Sequence, residues 1–430
     1  MIRFRHSATT AAALVFLAMS TWAQPPEGTE DPMEQADALF QAGRFADAER
    51  AYKSILDDDA ANGRAALRLG EIALLGNQFV EAERRLKRAI ELRPDDKRPK
   101  LLLAETYYRQ DRLVQAADLY RAGGQEVAAD TLASFKGLTP YEITGKAETT
   151  RLKFVQTDPL PVIRARFNGS EEGLLLIDTG AAELFLDTRF AEKLGVPQFG
   201  STTGTFAGGK RASIGHGRLD SIQLGEFEIK NLPVIVKERQ PLGIAPGGET
   251  PVGVIGTVVF YHFFATLDYP NGELVLRRKT DGVRAELARQ AQAPSTHVVP
   301  FWMAGKHFMV AWGTVNDSEP LLMFADTGLA RGGFLCPQST LKGAGIDLSG
   351  RPSFEGMGGG GPVKVTPFTV EKLTFGDASR SNVQSLFGGF PPSTEHQMGF
   401  RVGGIISHGF FRAYALTFDF ERMQFYLTPG

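Results

Sequence analysis

Cysteine is almost absent from this sequence, which contains a single residue of that type among 430. An internal disulfide is therefore impossible, and the fold must be stabilised by its apolar core. We expect Cys336, between Leu335 and Pro337, to be a small buried apolar residue rather than a nucleophile, because no histidine stands in an evident partner motif.

Patterns that would bind a metal or a cofactor are also lacking. The seven histidines are scattered, with no His-Glu-x-x-His motif and no pair of cysteines, so no metal ion is expected. Gly356, Gly358 and Gly361 fit the spacing of a dinucleotide-binding loop, but Pro362 follows them and no helix is predicted to begin there. We therefore expect no cofactor.

Neither sign of charge dominates the composition. Lysine and arginine together number 47, aspartate and glutamate 49, and the formal net charge is −2. No segment is rich in basic residues, so nucleic acid is not expected as a partner. The 48 glycines and 24 prolines instead favour a chain with many strands and turns.

The amino terminus has the pattern of a secretory signal peptide. Arg3 and Arg5 precede a short apolar run that ends near Met19, and a small-x-small sequence follows and ends at Ala23. We interpret residues 1–23 as a signal peptide, and the alternative is an uncleaved anchor. An anchor needs an apolar run of ~20 residues, and no later segment approaches that length, so we expect export to the periplasm or beyond, with no stable membrane span after cleavage.

A period of 34 residues runs through residues 31–123. Phe45, Phe79 and Leu113 follow one another at this interval. Two further sets share the spacing: Ala48, Ala82 and Ala116, and Tyr52, Leu86 and Tyr120. Small and large apolar residues at fixed positions suit pairs of antiparallel helices. The region resembles the tetratricopeptide repeat, with a generic helical bundle as the alternative, and the resemblance implies a protein partner bound by the repeats.

The rest of the chain alternates apolar and polar residues between glycine turns, which is typical of strands. We divide it into a linker (124–151), a first lobe (152–280), an inter-lobe linker (281–296) and a second lobe (297–430). Each repeat of a helical array mainly contacts its neighbours, so we expect the repeats to be removable without loss of the lobes.

The two lobes are copies of one β-rich unit. Asp178-Thr179-Gly180 maps onto Asp326-Thr327-Gly328 (326 − 178 = 148). Further along, Leu267-Asp268-Tyr269 maps onto Phe418-Asp419-Phe420 (418 − 267 = 151). A drift of three residues indicates changed loops on a common strand framework. A pseudo-twofold axis between such copies would bring both carboxylates to one place.

Two carboxylates that share a proton can act as base and acid towards a water and an amide. At these motifs the chain resembles the aspartic peptidases, whose proton-sharing dyad is a standard example. The resemblance implies a bilobal all-β fold behind the all-α repeats, with Asp178 and Asp326 as catalytic residues. It also implies that Thr179 and Thr327 cross-link the two loops, and Gly180 and Gly328 complete the motifs.

The sequence departs from the family pattern at a few positions. Val254-Ile255-Gly256 matches the apolar pair and glycine expected beneath the first loop, but the second lobe has Ile405-Ile406-Ser407. Ala181 and Leu329 follow the two motifs where pepsin-like enzymes usually carry a hydroxyl. We expect Ser407 to alter the packing beneath the second loop, whereas the missing hydroxyls at Ala181 and Leu329 leave the proton affinity of the dyad open.

The resemblance also implies a glycine-rich hairpin that folds over the substrate. Phe206, Ala207, Gly208 and Gly209 are candidates in the first lobe, and the segment Met357–Gly358 is the candidate in the second. The sequence does not decide between them. The predicted function is an aspartic endopeptidase acting on polypeptide, and the alternative is a non-catalytic scaffold that binds peptide through the repeats and the cleft.

Overall fold

The computed structural model describes residues 31–206, 210–238, 248–330, 332–358, 361–390 and 392–430. The predicted signal peptide, residues 1–23, lies outside them. From residue 32 the described chain folds into helices that pack as antiparallel neighbours. These are α1 Pro32–Gln41, α2 Phe45–Asp58, α3 Gly63–Leu75, α4 Phe79–Leu92, α5 Lys97–Tyr108, α6 Leu113–Ala122 and α7 Glu126–Ala133.

The 34-residue period marks the contacts between paired helices. Ala48, Ala82 and Ala116 are fully buried, as are Tyr52 and Leu86. Alanine at these positions lets two helix backbones approach, while the larger side chains fill the space beside them. The amino-terminal part of the chain is therefore a region of tetratricopeptide-type helical repeats.

Regular structure continues through the segment predicted to be a linker. Helix α7 packs against α6 after the predicted end of the repeats at residue 123. A strand, β1 (Glu142–Thr144), then pairs with a strand of the first lobe. Gly137 and Pro140, which suggest a linker, fall between these two elements, and Gly145 follows the second. Helix α7 has few large apolar side chains, so its helical pattern is weak in sequence.

The β-rich region contains two lobe sheets and a sheet between them. The remaining strands of the first half are β2 Thr149–Lys153, β3 Val162–Phe167, β4 Glu171–Ile177, β5 Leu184–Asp187, β6 Gln198–Phe206, β7 Lys210–Leu224, β8 Phe227–Lys237, β9 Gly253–Ile255, β10 Phe264–Asp268 and β11 Glu273–Arg277. Helices α8 (Thr188–Lys193) and α9 (Thr257–Phe260) lie among them. The first-lobe sheet has the order β1-β8-β5-β9-β4-β3-β7-β6.

The second half repeats this plan after helix α10 (Asp281–Gln290), which lies in the predicted inter-lobe linker. Its strands are β12 His297–Pro300, β13 Trp302–Ala304, β14 Phe308–Gly313, β15 Leu321–Ala325, β16 Phe334–Cys336, β17 Phe354–Gly358, β18 Gly361–Phe375, β19 Ala378–Phe387, β20 Gly404–Ile406, β21 Tyr414–Asp419 and β22 Gln424–Pro429, with helices α11 Gln338–Gly343 and α12 His408–Phe411. The sheet order is β13-β14-β15-β20-β16-β19-β18-β17.

The central sheet, with order β12-β22-β21-β10-β11-β2, contains the pseudo-twofold axis. Thr266 of β10 lies opposite Thr417 of β21 in an antiparallel pair. Their hydroxyl oxygens are 2.7 Å apart, and the two residues are 151 positions apart in the chain. Residues related by the internal repeat face each other only where they flank the symmetry axis. The duplication read from the sequence therefore corresponds to two lobes related across this pair.

The helical repeats and the lobes share their apolar cores. One cluster of buried side chains joins α1–α3 to the second lobe, and another joins α3–α7 to both lobes. Phe45 of α2 packs edge-on against Trp302 and Phe400, with ring centroids 5.2 and 5.0 Å apart. These shared clusters argue against a removable repeat block, because the 34-residue period does not reveal that one side of the array is buried against the lobes.

The single cysteine, Cys336, is fully buried, as the sequence predicts. Burial raises the pKa of its thiol to about 12. Such a thiol is unreactive at neutral pH. Within the described ranges, no helix has the length and apolar character needed to cross a membrane.

Deletion of the repeats should make the lobes insoluble. A fragment that starts at Thr149 would expose the apolar residues that α1–α7 cover, and we expect it to aggregate when expressed alone. Soluble yield and thermal unfolding of this fragment, compared with the chain starting at residue 24, measure the effect. A soluble fragment that unfolds within a few degrees of the longer chain would show that the helices are dispensable.

A point substitution at the same interface should be strongly destabilising. Phe45 is only 2% exposed, so we expect Phe45→Ala to lower the free energy of unfolding by ~3–5 kcal/mol. Val80, on α4, is 87% exposed, and Val80→Ala should change it by less than ~0.5 kcal/mol. Chemical denaturation of both variants tests the difference, and equal effects would contradict the interface.

Candidate active site

The two Asp-Thr-Gly motifs occupy equivalent places at the ends of buried strands. Strands β4 and β15 each run parallel to a short strand, β9 and β20. The backbone N–H of Asp178 donates to the carbonyl of Ile255 at 3.2 Å, and that of Asp326 donates to the carbonyl of Ile406 at 3.0 Å. Each loop is thus fixed to its own lobe by the same contact.

The two loops are joined to each other by their threonines. The hydroxyl of Thr179 accepts from the backbone N–H of Thr327 at 3.0 Å and donates to the carbonyl of Ala325 at 3.0 Å. The hydroxyl of Thr327 accepts from the backbone N–H of Thr179 at 3.0 Å. Both threonines are fully buried. Their hydroxyls therefore bond main-chain groups of the opposite loop.

The residue after each threonine must be glycine, because Gly180 and Gly328 each face the aspartate of the other loop. A Cβ atom at Gly180 would lie 2.5 Å from the carboxyl carbon of Asp326, and one at Gly328 would lie 2.2 Å from Oδ1 of Asp178. A Cβ atom at either position would therefore clash with the carboxyl of the opposite aspartate. The backbone N–H groups of the two glycines each donate to the carboxylate of their own motif at 2.7 Å.

These contacts place the carboxyls of Asp178 and Asp326 close enough to interact directly with each other. Burial raises the pKa of both carboxyls, and the negative charge of Asp178 raises the pKa of Asp326 further. The amides of Gly180 and Ala181 act in the opposite direction on Asp178. The pair therefore holds one proton over a range of pH.

The departure at Ser407 has a structural role. Its hydroxyl donates to the carbonyl of Asp326 and accepts from the backbone N–H of Leu329 at 3.2 Å. At the equivalent position in the first lobe, a Cβ on Gly256 would lie 2.5 Å from the carbonyl oxygen of Ala182. Glycine is required in one lobe, whereas the other lobe uses a hydroxyl to hold the loop that carries Asp326.

Three further residues near the dyad were not predicted from the sequence. Thr257 donates its hydroxyl to the carbonyl of Thr179 at 2.9 Å. At the equivalent position of the second lobe, His408 is buried, and its ring lies 5.2 Å from that of Tyr269. Burial raises the pKa of Tyr269, which interacts electrostatically with both aspartates. The offset of 151 pairs Thr257 with His408 in the sequence, but it gives no sign that either lies beneath the dyad.

The two candidate covering hairpins are formed by β6–β7 and by β17–β18. Phe206 is the last described residue of β6, and Ala207, Gly208 and Gly209 lie outside the described residues. The segment Met357–Gly358 ends β17, and residues 359–360 also lie outside. Both hairpins remain candidates.

The helical repeats contact one of these hairpins. A Cβ on Gly200 of β6 would lie 3.0 Å from Val127 of α7, and Arg218 of β7 donates to the carbonyl of Ser134 at 2.5 Å. Helix α7 therefore braces the base of the first-lobe hairpin.

A cavity of about 590 Å³ lies between helices α6–α7 and the first lobe. Its walls are mostly apolar, and its polar lining includes Glu183, His216 and Lys306. Among the residues that the structure describes, no group of three histidine, cysteine, aspartate or glutamate side chains is arranged to hold a metal ion.

Comparisons with known protein families give one match in the helical repeats and one in the first lobe. Residues 163–259 match the aspartyl protease family model, and residues 39–98 and 73–134 match the tetratricopeptide repeat model. No curated protein matches the chain. The aspartyl protease match includes Asp178 and ends before the second lobe. The pairing of Asp326 with Asp178 therefore depends on the duplication of the lobes and on the geometry of the two loops.

Because burial raises the pKa of Asp326, its ionisation should destabilise the folded protein as pH rises. Unfolding restores the ordinary pKa of ~4. The loss of folding stability therefore begins above about pH 4 and grows until the pH reaches the pKa that Asp326 has in the folded protein. We expect Asp326→Asn to unfold at a higher temperature than the native chain near neutral pH and at the same temperature below about pH 4.

Thermal unfolding of both proteins across this range measures the difference. Asp347→Asn is the control, because the hydrogen bonds from Ser349 lower the pKa of Asp347, so this exposed residue should give no gain. A native protein that becomes more stable than Asp326→Asn as pH rises would show that the fold favours the ionised carboxylate.

Proposed function

We propose that the protein is an aspartic endopeptidase. The observation that carries the proposal is the proximity of two carboxyls, on Asp178 and Asp326, that come from duplicated lobes. The aspartyl protease match in the first lobe supports it. A purely structural role would not require two partly buried aspartates to face each other, because like charges at this distance repel.

In the proposed mechanism, Asp178 is the base and Asp326 the acid. Asp178 takes a proton from a water whose oxygen attacks the carbonyl carbon of the scissile peptide, while Asp326 gives its proton to the carbonyl oxygen. The tetrahedral intermediate then returns a proton to Asp326. The proton held by Asp178 passes to the leaving nitrogen, the C–N bond breaks, and the products are a carboxylic acid and an amine.

The proposed substrate is polypeptide, and the repeats are proposed to dock the substrate or a protein partner. The tetratricopeptide match supports this role, because such repeats commonly present a binding surface to other proteins. We also propose that the chain is exported through the pattern at residues 1–23 and acts in the periplasm or outside the cell. Within this proposal the hairpin over the substrate is one of the two described above.

Replacement of either aspartate should abolish cleavage while the fold is retained. Asparagine keeps the size of aspartate and accepts the glycine N–H, but it cannot take or deliver the proton. We expect Asp178→Asn and Asp326→Asn each to lower kcat by at least about 10²-fold, with the double variant little worse than either. Cleavage of a peptide library by purified protein, from about pH 3 to about pH 8, provides the measurement.

Asp347→Asn, at an exposed position, serves as the control and should cleave like the native chain. Peptides should still bind to both dyad variants, since the cleft is unchanged. Undiminished cleavage by either dyad variant would contradict the mechanism. A native chain that cleaves no peptide at any pH, yet binds peptides equally well with or without the two aspartates, would favour the non-catalytic scaffold.

A further inference from the structure

Three side chains from three parts of the chain meet in one buried contact. Tyr108 lies on α5 of the repeats, Glu183 follows the catalytic loop of the first lobe, and Lys306 lies in the turn between β13 and β14. The hydroxyl of Tyr108 donates to Oε1 of Glu183 at 2.8 Å, and Nζ of Lys306 donates to the same oxygen at 2.5 Å. Nζ also lies 3.8 Å from the centre of the Tyr108 ring. We call this group the Tyr108–Glu183–Lys306 clamp.

The clamp holds a buried charge that depends on its partners. Glu183 is only 8% exposed and Tyr108 1%. Burial acts to raise the pKa of Glu183, but Lys306 and Tyr108 hold that pKa below its usual value, so the carboxylate is ionised. A buried carboxylate that loses one of two hydrogen-bond donors is left partly unsatisfied. The position of Glu183 is therefore sensitive to both partners.

Glu183 is the first side chain after Thr179 that can anchor the catalytic loop. Gly180, Ala181 and Ala182 have no polar side-chain atoms. Their backbone is held by the chain beneath, since the N–H of Thr257 donates to the carbonyl of Ala181 at 3.0 Å. A Cβ at Gly256 would lie 2.5 Å from the carbonyl oxygen of Glu183. The segment 180–183 is thus held by residues 256–257, at the start of α9, and by the clamp at its end.

The partner turn in the second lobe is itself fixed by the repeats. Arg109, adjacent to Tyr108, donates to the carbonyls of Met303 at 2.8 Å and Gly305 at 2.6 Å. The hydroxyl of Tyr261 donates to the carbonyl of Lys306. Consecutive residues at the end of α5 therefore hold the catalytic loop of one lobe and a turn of the other.

We propose that Tyr108 and Lys306 are positioning residues for the dyad, which they act on through Glu183, so that the repeats form part of the catalytic apparatus. This inference rests on the proposed peptidase function. Without the Tyr108 hydroxyl, Glu183 shifts towards Lys306, the loop that carries Asp178 and Gly180 loosens, and the contact with Asp326 is less well defined.

The same helix offers a matched control. Tyr107 donates its hydroxyl to Glu83 at 3.0 Å, and the guanidinium of Arg112 lies 4.0 Å from its ring centre. Tyr107→Phe therefore removes the same kind of hydrogen bond, beside the same kind of cation, but its partners belong to the repeats alone. Any difference between Tyr108→Phe and Tyr107→Phe reports the link to the lobes.

We expect Tyr108→Phe to lower kcat for peptide cleavage by about three- to tenfold with little change in KM, and to shift the pH dependence of kcat. Tyr107→Phe should match the native enzyme in kcat, KM and pH dependence. If Tyr108→Phe does not fold, Lys306→Met reaches Glu183 from the other lobe and should have the same effect. Native kcat and an unchanged pH profile in a folded clamp variant would overturn the inference.

Amide hydrogen exchange tests the clamp independently of cleavage. We expect faster exchange in residues 178–183 of Tyr108→Phe than in the native chain or Tyr107→Phe. If the native chain cleaves nothing, the proposed function fails, whereas faster exchange confined to the clamp variant would still support positioning of the loop. Equal exchange in all three proteins would overturn the clamp whether or not the chain is a peptidase.

Discussion

The hydrogen bonds exchanged between Thr179 and Thr327 hold together the two loops on which the dyad depends. Each hydroxyl accepts from the backbone N–H of the opposite threonine, in an interior closed to solvent. In such surroundings an unpaired hydroxyl or amide is costly, so the two loops are stable only together. The repulsion between two carboxylates opposes this contact, and the cross-link resists it. Strands β4 and β15 and the central sheet serve to deliver the two loops to the axis.

The symmetry at the threonines is not kept around the aspartates. In the first lobe a threonine hydroxyl, on Thr257, supports the loop from below, and in the second lobe Ser407 supports the carbonyl of Asp326. Burial and the neighbouring charge raise the pKa of Asp326 further than that of Asp178. The helical repeats add to the asymmetry, because α1–α3 pack on the second lobe whereas α7 packs on the first-lobe hairpin. The two carboxyls, equivalent by the internal repeat, thus lie in different surroundings.

The repeats have a structural part in this protein. A short helical array normally needs capping elements to cover its ends, and here the lobes cover one side of it. Arg109 is an example, because its guanidinium donates to Leu74 within the repeats and to Met303 in the second lobe, at 2.9 and 2.8 Å. The same helix end also carries Tyr108. Any ligand that moves α5 would therefore act on both lobes.

The sequence by itself determined the helical repeats, the duplication of the lobes and the two motifs. These features follow from periodic spacing, such as that of Ala48, Ala82 and Ala116, or from a fixed offset between copies. Only the tertiary structure decided that the repeats share a core with the lobes and that Glu183 joins the repeats to the loop that carries Asp178. Tyr108 and Glu183 are 75 positions apart, and Lys306 is a further 123 away. Contacts at such separations leave no period in the sequence, and a buried glutamate has the same letter as an exposed one.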